Sequence, residues 1–341
     1  MISKDAKIVV VGAGAIGGIS AAFIKKAGWD PVLVCKHQQT VDISASPGIH
    51  VTGTKGDHTV ALKAVKHISG LSGPQDVVLL ATKANDCREA ARDLLPFLKS
   101  ESLVVSLQNG ICEDALAEII GRERIIGCVV GWGATHRGPA ELEVTSEGEF
   151  VIGNIDHKPD DRLAAIKQLL DAVYPTRISD NIMGELYSKL IINACINSLG
   201  VIGGVNLGQL LANQKARHIF FELMHEAMAV AGAMQLEVAP AGGGKLDYYK
   251  LLEGRGIPAD LKRYLTIRII GFKYRRIKSS SLQSLERGRR TEIDYLNGYI
   301  CGKGKTLGVS TPLNTKVKAM VLEIENGQRS MSLDNLDELA N

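Results

Sequence analysis

Three scarcities in this sequence each remove a class of function. No uninterrupted apolar run approaches the roughly 18 residues needed to span a bilayer, so no membrane partner is expected. The six cysteines (Cys35, Cys87, Cys112, Cys128, Cys195 and Cys301) form no C-x-x-C pair, and the eight histidines form neither an H-E-x-x-H motif nor a cluster. Buried free thiols are therefore expected, rather than a disulfide framework or a protein-bound metal. Excess charge is missing too. Lys plus Arg is 40 against 37 for Asp plus Glu, a net +3, which argues against nucleic acid as a partner.

What is present is an ordinary globular composition. Hydrophobic residues make up 45% and charged residues 23% of 341, enough for about two domains. The N-terminus, MISKDAKIVVVGAGAIGG, sets charge before an apolar run, as a signal peptide does. Here the apolar run leads straight into a glycine pattern, with no small-residue cleavage site behind it. It reads as the first strand of a cytoplasmic protein.

The first half alternates short β-branched runs with amphipathic stretches. Strands are predicted at 6–11, 31–35, 76–81, 103–107 and 124–130, with two more inside 48–68 around a turn at Gly53 to Gly56. Helices are predicted at 15–27, 85–98, up to about 120, and 159–174, and a hairpin at 141–152. Buried, non-alternating strands between helices imply a parallel sheet covered on both faces. From about Asp180 the β-rich runs stop, and helices are predicted at 181–199, 214–235, 290–305 and 315–326. The fold class expected is α/β, an N-terminal Rossmann-type parallel sheet with a second, all-helical C-terminal domain. The domains are expected at 1–178 and 179–341, with a frayed polar tail from about 330. The apolar helix at 214–235 suits a core or a homodimer interface equally, and both readings stand.

Gly12-Ala13-Gly14-Ala15-Ile16-Gly17 fits G-x-G-x-x-G, with a buried strand before it and an amphipathic helix after it. The first glycine permits a tight turn, the second lets backbone approach a pyrophosphate, and the third lets helix and strand pack closely. The phosphates would meet the free N–H groups and positive dipole end of the helix. The plainer reading is a glycine-rich turn without a ligand. The second strand ends Val34-Cys35-Lys36-His37, without the acidic residue that usually bonds an NAD ribose. Lys36 suits a 2′-phosphate, so the cofactor expected is NADP; otherwise Lys36 is a solvated loop lysine.

Two more polar residues follow strands at the edge where ligands bind in such sheets: Lys83 after DVVLLAT and Asn109 after LVVSLQ. Either also suits a local turn or a helix start. In SKLIINACINSLG, Lys189, Asn193 and Asn197 recur every four residues and share one face of an otherwise apolar helix. A buried polar stripe must meet polar partners. These are either other protein groups or a substrate, and a buried lysine suits a general acid. Ser279 to Ser281 and Glu292 to Asp294 have no role readable from periodicity alone.

Taken together these segments resemble the ketopantoate reductase (2-dehydropantoate 2-reductase) family. The matching landmarks are GAGAIGG, the T-K-A at Lys83, L-Q-N-G at Asn109, K-L-x-x-N-x-x-x-N from Lys189, and S-x-L-Q-S-L-x-x-G-R-x-T-E-I-D ending at Asp294. The resemblance implies NADPH-dependent reduction of a small-molecule 2-keto acid, 2-dehydropantoate, to pantoate in pantothenate biosynthesis. It implies that Gly12, Gly14, Ala15, Ile16, Gly17, Lys36, Lys83 and Asn109 bind the cofactor. Lys189 is implied as general acid and Glu292 as its catalytic partner. Asn193, Asn197, Ser280 and Asn109 are implied as substrate-binding, with Ser279 and Ser281 as neighbours that blur the serine's assignment. The sequence departs from the family's Asn-Pro at Asn197-Ser198, has Asn85-Asp86 after T-K-A, and is longer and more basic over 240–278. Those departures bear on the substrate, so reduction of another 2-keto acid stays open, as does a non-catalytic NADPH sensor. Basic residues from Lys262 to Arg290, including Arg263, Lys273 and Lys278, raise a nucleic-acid reading that the overall balance weakens. Ala241-Gly242-Gly243-Gly244-Lys245 reads as a flexible loop, and Gly200 to Gly204 as a helix stop.

Overall fold

A computed structural model describes residues 2–158, 160–244, 246–254, 263–269, 272 and 275–340. The chain divides into two compact units, Met1–Leu186 and Tyr187–Asn341.

Unit 1 follows the strand–helix alternation of its sequence. Its elements are β1 (Ile8–Val11), α1 (Ala15–Lys26), β2 (Val32–Val34), α2 (Gln38–Ala45), β3 (Ile49–Gly53), β4 (His58–Val60), β5 (Lys63–Val65), β6 (Gln75–Leu80), α3 (Cys87–Leu94), β7 (Leu98–Ser106) and α4 (Glu113–Ile120). They continue with β8 (Ile125–Val130), β9 (Gly133–Gly138), β10 (Glu141–Ser146), β11 (Phe150–Asn154), α5 (Arg162–Asp171) and β12 (Thr176–Ile178). The main sheet has the order β12-β11-β8-β7-β6-β1-β2-β5. From β5 to β8 every pairing is parallel; β11 joins β8 antiparallel and β12 joins β11 in parallel. Both faces of the central strands are covered, so Val9, Val10, Val78, Leu79, Val104 and Val105 are fully buried. That burial is why these strands read as unbroken apolar runs.

The region 48–68 holds three strands rather than two, and 141–152 is not a hairpin. β10 and β11 belong to different sheets: β10 pairs antiparallel with β9 and parallel with β3, in a four-stranded sheet ordered β4-β3-β10-β9. Alternation along the sequence identified both strands but could not say which partner each would find, because pairing is long-range. The small sheet lies against α1, and a side chain at Gly18 would come within 2.5 Å of Leu142. Pro159, where the 159–174 helix was expected to begin, lies outside the described residues.

The second segment carries α6 (Ile182–Gly203), α7 (Leu207–Ala212), α8 (Gln214–Ala233), α9 (Ala241–Gly244), α10 (Tyr248–Leu252), a helical stretch at 263–269, α11 (Ser280–Glu286), α12 (Asn297–Leu307), α13 (Pro312–Glu325) and α14 (Asn335–Ala340). Among the described residues no strand longer than an isolated bridge occurs after β12. By length and hydropathy α6 could cross a membrane, but most of that apolar window is buried within the protein. Its helix ends where Gly204 takes φ +64°, the stop that the glycine run indicated. Residues 290–296 are not helical as expected, apart from a short 3₁₀ turn at Ile293–Tyr295. Ala241–Gly244 forms one helical turn instead of a loop; Lys245 lies outside the described residues. The tail does not fray. Leu336 and Leu339 are buried, and Arg329 pairs with both Glu323 and Glu338, each at 2.7 Å.

Candidate active site

The glycine loop has the three distinct geometries that a dinucleotide turn requires. Gly12 takes φ +114°, where a side chain would also strike the Ala81 carbonyl and the Thr82 amide within 2.8 Å. Gly17 faces the Gly12 carbonyl oxygen so closely that a Cβ would sit 2.0 Å from it. Gly14 is the exception: a Cβ there would meet nothing within 4 Å. It is the N-cap of α1, and the first turn carries neither a side-chain cap nor an acidic residue. Two glycines are thus demanded by packing, while the third borders open space at a helix N-terminus. Only the last is unexplained by the protein's own packing, and a pyrophosphate against the Gly14–Gly17 turn would explain it.

The other unit 1 residues stand at the same carboxyl edge. Lys36 follows β2 and is well exposed, but its Nζ lies 2.8 Å from Asp86 Oδ2. Asp86 belongs to the Asn85-Asp86 pair that departs from the family pattern. A 2′-phosphate at Lys36 must compete with this carboxylate, though an exposed pair of this kind is weak. Lys83, exposed, precedes the short 3₁₀ turn Ala84–Asp86, and Asn109, half-buried, follows β7. The helix α2, absent from the expected elements, starts directly after Lys36-His37; its mixed sequence QQTVDISA gives too weak an apolar period to be read.

In unit 2 the polar stripe of α6 has the expected register. Leu186, Leu190, Ile191 and Ala194 are buried, Lys189 and Asn193 are half-buried, and Asn197 is buried. Ser280 Oγ lies 3.3 Å from Asn197 Oδ1 and donates to it. Its neighbours are otherwise engaged: Ser279 is the N-cap of α11, accepting from the Leu282 amide at 3.3 Å, and Ser281 is buried. Gly200 makes this approach feasible, since a side chain there would lie 2.6 Å from Ser279 Oγ. Glu292 is buried. Its flanks are tied to α13, where the Thr291 amide donates to Glu325 Oε1 at 2.7 Å and Asp294 pairs with Lys318 at 2.7 Å.

Ser198, standing where the family has proline, has work of its own. Its hydroxyl donates to Asn297 Oδ1 at 2.5 Å, Asn297 donates to Asn314 Oδ1 at 2.9 Å, and Asn314 Nδ2 donates to Glu226 Oε2 at 2.7 Å. The Glu226 carboxylate also accepts the Leu313 and Asn314 amides, at 2.8 and 2.9 Å, and so satisfies the N-terminus of α13. This buried network braces α6 from behind. Sequence reading missed Asn297, Asn314 and Glu226, whose partners lie up to 99 residues away.

The basic segment gives Arg263 to internal work. Arg263 is buried and donates to the carbonyls of Leu251, Leu252, Glu253 and Gly254 at 2.6–2.9 Å, satisfying the C-terminus of α10. Lys262 and Lys273 lie outside the described residues. Groups of three or more His, Cys, Asp or Glu able to hold a metal do not occur among the described residues.

Comparison with known proteins finds relatives along nearly the whole chain. The family model described as ketopantoate reductase PanE/ApbA matches residues 8–157, and that of its C-terminal part matches 181–325. The 2-dehydropantoate 2-reductase of Aquifex aeolicus is 27% identical over 322 residues, covering 92% of this chain and 96% of the relative. A crystal structure of a PanE/ApbA family ketopantoate reductase from Ralstonia eutropha superimposes with a TM-score of 0.80 at 29% identity, covering 95% of this chain and all of the other. A ternary structure of D-mandelate dehydrogenase with NADH and anilino(oxo)acetate superimposes with a TM-score of 0.78 at 25% identity, covering 94% and 99%.

Proposed function

This chain belongs to the ketopantoate reductase family and is an oxidoreductase, and from that premise we propose that it reduces 2-dehydropantoate to pantoate with NADPH. The observation that carries the reading is the α6 stripe, in which Lys189, Asn193 and Asn197 share one face and Ser280 meets Asn197 at 3.3 Å. The Gly12–Gly17 turn, Lys36, Lys83 and Asn109 would hold the cofactor, which would supply a hydride to the keto carbon. The chain's own residues do the rest. Lys189 donates a proton to the carbonyl oxygen as negative charge develops there, a contribution of about 10²–10⁴-fold. Asn193, Asn197 and Ser280 hold the carboxylate and the distal hydroxyl, which fixes the angle of approach. Glu292 orients the substrate and tunes Lys189.

A second reading keeps the chemistry and changes the substrate and coenzyme. The Lys36–Asp86 pair and the NADH-bound D-mandelate dehydrogenase of the same fold favour NADH with a bulkier 2-keto acid. One assay decides between them: coenzyme oxidation with ketopantoate, pyruvate, 2-oxoisovalerate and an aromatic keto acid, each with NADPH and NADH. Preference for ketopantoate with NADPH is expected. The Lys189→Ala variant should lose turnover by at least 10²-fold while NADPH affinity stays within a few-fold; equal losses in both would remove the general-acid role. Absence of turnover with every keto acid would leave a coenzyme-binding sensor.

A further inference from the structure

Between Asn109 and the loop that carries Lys83 lies a residue assigned no role so far. Gln108 lies two residues past the end of β7 and is buried, at 5% exposure. Both ends of its amide are engaged. Nε2 donates to Thr82 Oγ1 at 2.9 Å and to the Lys83 carbonyl at 3.4 Å, while Oε1 accepts from Ser106 Oγ at 3.5 Å. Thr82 in turn sits against the glycine turn: its amide and the Ala81 carbonyl are the atoms that forbid a side chain at Gly12. One buried amide therefore links the loops after β6 and β7 at the carboxyl edge of the sheet, and the backbone of Ala81–Thr82 packs against a third, the glycine turn after β1. Each of the three carries a residue expected to meet the coenzyme. The ladder bonds Ala81 N to Val11 O and Leu107 N to Leu80 O, at 2.8 and 2.9 Å, align the strands up to this point. Beyond these bonds, the Gln108 side chain ties the loop after β7 to Thr82 of the loop after β6.

We propose that Gln108 is a positioning residue for the coenzyme, holding the loops of Thr82–Lys83 and Asn109 in the spacing that coenzyme binding needs. The inference rests on the dinucleotide reading of this edge. The physical reason is cost. Removing Gln108's amide deprives the half-buried Thr82 Oγ1 of its 2.9 Å donor and the Lys83 carbonyl of a second donor beside the Asp86 amide. The loops then relax to find others, and the coenzyme must reorder them on binding. Because Thr82 accepts the Gln108 hydrogen bond, its own hydroxyl proton is directed away from Gln108, so the amide also fixes which way that donor faces.

The test uses the full chain and titrates NADPH and NADH by fluorescence with no keto acid present. Gln108→Met keeps the length and volume and removes the donor. It should weaken the coenzyme that wild type binds by 10-fold or more. Thr82→Val, a milder change, should weaken it less, and the double variant should be no weaker than Gln108→Met, since both remove one link. At saturating coenzyme the keto acid KM of Gln108→Met should stay within twofold. Unchanged coenzyme affinity in both single variants, additive losses in the double, or a lowered Tm with unaltered affinity would overturn the proposal. If wild type itself binds neither coenzyme, the dinucleotide reading fails first and takes this inference with it.

Discussion

Glu113 opens α4 with a carboxyl that is wholly enclosed, and neither oxygen reaches hydrogen-bond geometry although the Ser106 hydroxyl lies beside it. Burial pushes its pKa up to about 7; Asp114 acts in the same direction, while Ser106 and nearby amides oppose it more weakly. The sign follows from linkage. An unfolded glutamate loses its proton near its ordinary value, whereas the folded one keeps it until about 7. Its contribution is therefore most favourable to folding in acid and is lost as pH rises through that window, a cost on the order of 3 kcal/mol above it. Glu113→Gln carries no charge at any pH. Its Tm should exceed that of wild type at pH 8 and converge on it as pH falls towards 4; parallel Tm profiles would show that Glu113 does not titrate in this window. The glycines make a second comparison of single residues. Gly17→Ala should fail to fold stably, because the new Cβ meets the Gly12 carbonyl. Gly14→Ala should keep its Tm and lose coenzyme affinity. Loss of affinity together with stability at Gly14 would mean that the open space is structural. The packing demands at Gly12 and Gly17 were legible in the sequence because a turn is local. Glu113 was not, since a charged residue at a helix start ordinarily faces water.

Elements were read well where one period dominates and poorly where pairing decides. The face of α6 came through because the spacing of Lys189, Asn193 and Asn197 is set by the helix itself. The partners of β10 did not, because alternation names a strand and says nothing of its neighbour. Once the small sheet is known, a titrating contact within it becomes visible. His50 on β3 meets Glu141 of β10 at 2.7 Å and Asp57 of the β3–β4 turn at 3.0 Å. Both carboxylates raise its pKa, Glu141 most, against a smaller opposing effect of burial. A raised histidine stabilises the fold below its ordinary unfolded value and ceases to do so as pH rises through the folded one. An NMR titration should place the His50 midpoint above that of an unfolded reference peptide. A midpoint at or below the reference would mean that the two carboxylates do not hold the imidazolium in solution.

At the level of the whole molecule, the shift from β-rich to helical sequence near residue 180 was legible because it is a change in composition. The two compact units divide the candidate residues cleanly. Gly12 to Gly17, Lys36, Lys83, Gln108 and Asn109 belong to Met1–Leu186; Lys189, Asn193, Asn197, Ser280 and Glu292 belong to Tyr187–Asn341. Reading roles from the sequence needed the family resemblance, because periodicity alone gave Ser279 to Ser281 and Glu292 no role. On the proposed function the first unit would recognise a coenzyme with no substrate present, and Asn193, Asn197 and Ser280 of the second would hold the keto acid. Binding a ligand to the native state protects the amides it covers from exchange. Hydrogen exchange with coenzyme alone should therefore slow residues 12–18, 81–84 and 107–110 and leave 279–284 unchanged. Adding a keto acid that cannot be turned over, with oxidised coenzyme present, should then slow 279–284, where Ser280 begins α11. Protection of 279–284 by coenzyme alone would contradict this division of labour, because it would give the serine segment to the coenzyme and leave the keto acid to be held by Asn193 and Asn197 without it.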